Sequence, residues 1–530
     1  MKKFEHLVLT ALCLAGMVSC GLDSLSPDDR TMVYDSELGH GMMVLGKKLD
    51  DPYSVSNVTK ALASLYPTKA ESVSVSTTDV YVRFLPSCQE EYDKLDSLGV
   101  QMIDHPVNYE IIREGDYYHD PSVPEGDITW QYAVVSPDFI FPRGIRYEIL
   151  YPCHITEHEV VTRSDPDGID WDAVERESFR LTGNAAMLSD RSLTKASAAK
   201  PEGRVTVVDS RRPDEVEGVK GVRVSCNVFV KIGQAYTDEN GYYSIDKSFS
   251  SNPRYWLVFK NKKGFGIGLN LILVGGSVSN MGKHEPSGCD MEVRQEDDRT
   301  VFTRCVVNNA IWDYFEKCAN DKVSMKAPPT NVRVWIFSRL SSSSTLMMQH
   351  GAVIEGTKIS EYLGDYAFVV KWFLPDITLG TAHCNDYASI YSSTVHELAH
   401  ATHYQQVGKG FWNKLIEFII TSFITSGMEA YGTGGEEEAG LCEVSEMWAY
   451  YVETMMYRER YPESEAVFGT SWWFFPQIFM YLDDRGLNRF MISKAMEEDV
   501  TDRESLCEKL KSLYPEFQTN IAMAFNRYYR

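Results

Sequence analysis

Residues 396–400 read His396-Glu397-Leu398-Ala399-His400, an H-E-x-x-H arrangement. On a helix, positions i and i+4 lie about 40° apart around the axis, so both imidazoles leave from one face. Two neutral imidazoles at that spacing can share one zinc ion. Glu397, beside the first of them, can reach a water on the same metal and act as its general base. The flanking residues favour a helix. Ser393 and Thr394 offer caps, Val395, Leu398, Ala399 and Val407 an apolar face, and Gly408 followed by Gly410 a stop. The bland alternative is a surface helix that carries two histidines by accident.

A catalytic zinc takes three protein ligands and keeps one position open. His403 lies seven residues after His396, on roughly the same face. That spacing invites comparison with the H-E-x-x-H-x-x-G-x-x-H pattern of metzincins, but the glycine of that pattern is missing, so His403 reads first as a packing or supporting residue, with ligation as the minor alternative. Downstream, 439–457 is a long helical pattern containing Glu443-Val-Ser-Glu446-Met-Trp-Ala-Tyr-Tyr-Val-Glu453. Glu443 and Glu446, three residues apart, point about 60° apart on a helix, so they cannot both face one metal in the same way.

At 530 residues the chain should hold about three to four domains. Hydrophobic content of 44% and charged content of 24% are ordinary for a globular protein with a sizeable core. A net charge of -23 argues against nucleic acid or an anionic membrane surface as partner. Nine cysteines follow Cys20, an odd number without framework spacing, so disulfides are not required; without a C-x-x-C, a cysteine-bound zinc is not expected.

The N-terminus reads as a targeting segment: Lys2 and Lys3, then an apolar run from Leu7 to Val18, too short for a membrane span. Met17-Val18-Ser19-Cys20-Gly21 resembles the lipobox of bacterial lipoproteins, although Met17 stands where Leu is usual. That resemblance implies a signal peptide over 1–19, lipid on Cys20 and a place in the outer membrane, facing the periplasm or the surface. Gly21 to Asp29 reads as a tether within a 20–71 N-terminal segment. Alternating Val73, Val75, Val80, Val82 and Phe84, with strands at 130–135 and 145–150 and a helix at 90–98, give an α+β domain over 72–185. His154 and His158 share i,i+4 spacing there, in a context better suited to a surface loop. Residues 186–201 read as a linker.

Over 202–264 the chain reads as a β unit: Gly203-Arg-Val-Thr-Val-Val208, Gly221-Val-Arg-Val224 and Thr237-Asp-Glu-Asn-Gly241-Tyr-Tyr-Ser-Ile245. Asn240-Gly241 supplies the positive φ of a tight hairpin. The pattern resembles the carboxypeptidase regulatory-like, transthyretin-type β-sandwich, an accessory module in that family. From 265 to 530 a helix from Val301, strands at 331–338 and 367–373, and the H-E-x-x-H helix form the last unit. The apolar 411–426 stretch reads as a helix lining its cleft.

Ser445-Glu446-Met-Trp-Ala-Tyr-Tyr-Val-Glu453 is similar to the N-E-G-F-A-x-Y-V-E stretch of alanyl-aminopeptidase-type gluzincins. The resemblance implies Glu446 as third zinc ligand and Glu453 as a supporting carboxylate. The gap from His400 to Glu446 is longer than that family's, with 411–426 as the insertion. The segment that binds a free amine in those aminopeptidases is missing. No His follows His403 to stabilise an oxyanion as in thermolysin, so a Tyr must, with Tyr457, Tyr461 and Tyr481 as candidates.

The expectation is therefore a multidomain α+β protein: an N-terminal α+β domain, a transthyretin-like sandwich and a mainly helical zincin domain. It would be a lipid-anchored zinc metallopeptidase, with His396, His400 and Glu446 on Zn²⁺ and Glu397 as base, acting on a peptide or protein. Its membrane contact would be only through the lipid on Cys20. The alternatives are a degenerate zincin acting in binding or adhesion, and a zinc hydrolase of another substrate.

Overall fold

A computed structural model describes residues 41–528 other than 71–72, 125–126, 156–167, 189–197, 268–275, 277, 320–324, 339–340, 342, 353–375 and 426–430. The signal segment, Cys20, the 21–29 tether, His158 and the 367–373 strand lie outside the described residues. The fold is mixed α+β. Five sheets and ten α-helices are present among the described residues. No helix among them is long and apolar enough to cross a membrane.

The N-terminal unit begins earlier than residue 72. Strand Val44–Lys48 pairs antiparallel with Tyr109–Arg113, and helix Val55–Leu65 packs on helix Trp171–Leu181 through Val58, Ala61, Leu62 and Val174. Between them lies an antiparallel sheet of Gln131–Val135, Asp79–Leu85 and Arg146–Cys153, in that order. Val73 and Val75, read as strand, stay outside it; Val75 is buried against the helix pair instead. His154 stacks on Trp171, with its Nδ1 2.8 Å from the Ser76 carbonyl.

Two four-stranded sheets follow. One runs Val278–Lys283, Arg254–Val258, Arg223–Val228, Lys231–Tyr236; in the other, Glu202–Val208 is bordered by Tyr242–Ser244, Met291–Val293 and Val216–Gly218. Their alternating apolar residues, Val205, Val207, Val224, Cys226, Tyr255 and Leu257, share one core. Two findings differ from the sequence reading. Strands 278–283 and 291–293 come from beyond residue 264. The Asn240-Gly241 turn also joins the two sheets instead of closing a hairpin, since Tyr242–Ser244 pairs with Glu202–Val208. Gly241 does have a positive φ, 79°, and a Cβ there would meet the Val205 carbonyl at 2.1 Å. The close approach to the neighbouring strand requires the glycine. In the 186–201 stretch, Leu188 and Ala199 bridge to Ser251 and Phe249, so its described ends are bound to this unit.

Helix Arg299–Ala319 joins this unit to the last one. It is buried on nearly every face and uses polar side chains inside the contact. Asn309 Nδ2 donates to the Gly218 carbonyl (2.9 Å), Asn308 Nδ2 to that of Lys220 (2.8 Å), and Tyr314 Oη lies 2.9 Å from Thr402 Oγ1 on the next helix. Beside it runs a sheet of Gly266–Ile267, Arg333–Phe337, Ile377–Gly380 and Ser344–Thr345, the last strand antiparallel at the edge. Two long helices follow, Tyr387–Thr425 and Ala439–Arg460, and four shorter ones, Gln477–Asp483, Arg489–Ala495, Arg503–Leu513 and Gln518–Arg527, pack into the same core. The nine cysteines among the described residues are all free thiols.

Arg460, at the end of the second long helix, ties that helix to the β unit. Its Nη2 lies 2.7 Å from Glu217 Oε1 and 3.1 Å from Asp209 Oδ2, and its guanidinium covers the Tyr387 ring at 4.3 Å. Asp209 is fully buried and also accepts from Tyr461 Oη at 2.9 Å. Removing one partner of such a buried pair leaves an uncompensated charge, at a cost of about 3–5 kcal/mol. Arg460→Met is expected to lose that much in a denaturant titration, in a single transition covering both units. Arg460→Lys should recover only part, because an ammonium cannot fork two carboxylates and stack on the ring together.

Candidate metal centre

The His396 helix starts earlier than the sequence reading places it. Asp386 caps it, accepting from Ser389 N at 2.8 Å, and Thr394 sits inside with its hydroxyl on the Ile390 carbonyl. The helix breaks at Gly408, whose φ of 76° and ψ of 179° are non-helical. Residues 409–425 then run in a new direction, and Trp412, Leu415, Ile416 and Ile419 line a cleft with Ser344, Thr345 and Tyr431. At its floor are His396, Glu397, His400 and Glu446.

The two long helices approach closely. Ala399 and Ala449 are fully buried, and Trp448 Nε1 donates to the Ala399 carbonyl at 3.1 Å. This contact brings Glu446 over the two histidines. His396 Nε2 and His400 Nε2 lie 3.2 Å apart, and Glu446 oxygens lie 3.5 and 3.4 Å from them. A tetrahedral zinc with bonds of about 2.1 Å has ligand–ligand edges of about 3.4 Å. Glu446 Oε2 is buried with no hydrogen-bond partner. The donor set and spacing therefore fit a tetrahedral cation held by two imidazoles and a carboxylate.

Both imidazoles are held from behind. His396 Nδ1 lies 3.0 Å from Glu453 Oε2, and Glu453 also accepts from the Ser392 hydroxyl. His400 Nδ1 lies 3.0 Å from Ser445 Oγ. Partners on Nδ1 aim each Nε2 at the shared point. Burial works against a charged His396, but Glu446 and Glu453 outweigh it and hold its pKa well above the ordinary value. Burial likewise pushes Glu446 up, yet His400 and His396 bring it down to about 2. A cation at the same point would take over the role of the histidine protons. Glu397 shifts upward through burial, partly offset by the two histidines, and its Oε2 accepts from Thr345 Oγ1 at 2.6 Å.

The sequence-derived tyrosines are elsewhere. Tyr457 lies eleven residues, about 16 Å, along the helix from Glu446, too far to reach the cleft; it packs on Tyr461 and Phe468. Tyr461 is bound to Asp209, and Tyr481 lies under Arg485 at 3.4 Å. Tyr431 lines the cleft instead, and burial followed by the charge of Glu446 keeps its phenol protonated. Tyr450 lies against the His396 ring at 4.4 Å. Glu443 faces away and pairs with Arg503. Sequence reasoning missed Tyr431, Thr345, Ser392 and Ser445. Ser445 had a signal, its place next to Glu446, whereas Thr345 comes from a distant edge strand. Compared with protein-family models, curated proteins and solved structures, the chain matches none of them.

Gly408 sits in a region that only glycine occupies without strain, and a Cβ there meets no neighbouring atom. Gly408→Ala should therefore cost about 1–3 kcal/mol through backbone strain alone. Thermal unfolding measures the loss. The same variant should disorder the cleft wall, read as increased hydrogen exchange at Trp412 and Leu415 with little change at Trp448.

Proposed function

We propose that this chain is a zinc metallopeptidase of gluzincin type, carried outside the cytoplasm on a lipid at Cys20 in the outer membrane. The observation that carries the reading is the convergence of His396, His400 and Glu446 at tetrahedral spacing, with Glu397 beside them on the cleft floor. Zinc, when bound, supplies a Lewis acid and lowers the pKa of water to near neutrality. Glu397, buried and oriented by Thr345, takes a proton at its carboxylate and returns it to the leaving amine. Tyr431 offers a neutral O–H to the oxygen of the peptide carbonyl. The wall of Trp412, Leu415, Ile416 and Ile419 accepts an uncharged apolar side chain next to the scissile bond. The two-sheet unit at 202–293 is the transthyretin-like accessory module, and it holds the catalytic unit by direct packing.

A degenerate zincin that only binds is the second reading, and turnover separates the two. Digestion of a mixed peptide library by the chain starting after Cys20 should cut beside apolar residues and stop with a chelator. Glu397→Gln should keep zinc and lose about 10²–10⁴-fold in rate. Tyr431→Phe should keep zinc and lose about 10²-fold or more. Near-normal turnover by Glu397→Gln would sink the mechanism. Metal analysis separates the two carboxylates: Glu446→Ala should lose zinc. Glu443→Ala should retain zinc and lose stability, through the Arg503 charge left behind.

A further inference from the structure

The outer face of one sheet of the β unit forms another cavity with the N-terminal unit, and it shares no lining residue with the metal-centre cleft. Val224 and Cys226 point into the core between the sheets, so Arg223 and Ser225 leave from the opposite face. The register sets Ser225 between Trp256 and Gln234 on the neighbouring strands, a row about 10 Å across. Against this row stands the 101–105 stretch of the N-terminal unit, with Tyr92 beside it. Met43, Val258 and Val278 close an apolar end. Trp256 is buried, and its indole N–H is already spent on Asn227 Oδ1 at 3.2 Å. What Trp256 offers the cavity is therefore apolar ring.

The ionised groups on the wall are taken. Asp104 accepts from Tyr118 N at 2.6 Å and lies 2.8 Å from His105 Nδ1. Asp116 faces Arg304 at 3.5 Å, and Arg223 faces Asp96 at 3.8 Å. An ionic ligand would find no spare counter-charge here. The neutral groups differ. The side chains of Gln101, Ser225 and Gln234 have no hydrogen-bond partner among the described residues. Nor have Tyr92 Oη and His105 Nε2, although both residues are buried. A carboxylate such as Asp104 only accepts, so neutral His105 carries its proton on Nδ1 and presents a lone pair at Nε2. That nitrogen belongs to a ring packed on Trp256, with 5.5 Å between centroids. Hydroxyls and amides both donate and accept.

A ligand that satisfies these walls is uncharged, meets donors and acceptors on two sides, and has an apolar face. A pyranose ring has that pattern, since hydroxyls radiate from its rim and C–H bonds cover its face. A planar heterocycle satisfies less of it, because each of its polar atoms either donates or accepts, whereas a hydroxyl does both. We propose that this cavity binds a neutral sugar ring, with its hydroxyls on Ser225, Gln234, Gln101 and His105 and its C–H face toward Trp256. The site is independent of the metal centre and of the function proposed for it.

Saturation-transfer NMR on the chain starting after Cys20, with glucose, galactose, mannose and N-acetylglucosamine, tests this. At least one of the four should receive transfer at its ring C–H protons, and calorimetry then gives its Kd. Ser225→Ala and Gln234→Ala should each weaken that sugar about 3–10-fold, the worth of one hydrogen bond, with the melting temperature unchanged. The analogue of the same sugar with a carboxylate at the 6-position should bind about tenfold more weakly, its charge having no partner in the cavity. Binding of none of the four sugars, or binding unmoved by both substitutions, would overturn the proposal. Tighter binding of adenosine than of any sugar would also overturn it, and would assign the cavity to planar heterocycles instead.

Discussion

Trp448 is buried where two helices cross, and its indole donates to the Ala399 carbonyl. The bond does more than satisfy a buried N–H. It fixes the rotation of the Glu446 helix against the His396 helix, at a crossing where Ala399 and Ala449 let the backbones come close. A helix residue subtends about 100°, so a slip of one position would turn Glu446 away from the histidines. Ser445 and Glu453 depend on the same rotation. They share a helix with Glu446 and meet His400 and His396 only in this setting.

Much of the site was legible because its information is local. His396, Glu397 and His400 follow from helical spacing, and the run from Glu446 to Glu453 from a family-like motif on one helix. The rest depends on long-range partners. Thr345 meets Glu397 only because a short edge strand folds back across the helix. Tyr431 precedes Gly432 in a loop, and nothing near it in sequence says that the loop closes on the cleft. Tyr457 and Tyr461 lie too far along the helix axis from Glu446, and Tyr481 sits on a separate helix under Arg485.

The fold shows the same division. Strong strands such as Asp79–Leu85 and Arg333–Phe337 announce themselves by β-branched and aromatic residues. The segment Val278–Lys283, Val-Ser-Asn-Met-Gly-Lys, has no such pattern. It is a strand because the edge of Arg254–Val258 offers it unpaired backbone groups. A boundary drawn at residue 264 follows composition, and backbone pairing overrides composition here.

The order in which the chain visits its sheets has a historical consequence. After Arg254–Val258 it places Gly266–Ile267 in the sheet beside the His396 helix, then returns to lay Val278–Lys283 and Met291–Val293 into the earlier pair of sheets. Each of the two bodies thus holds a thread of the other. A module that can be cut out at one joint can pass between genes as a cassette, but no single joint here releases either body whole. A cut at one joint would leave either Gly266–Ile267 or the pair Val278–Lys283 and Met291–Val293 behind in the neighbouring body.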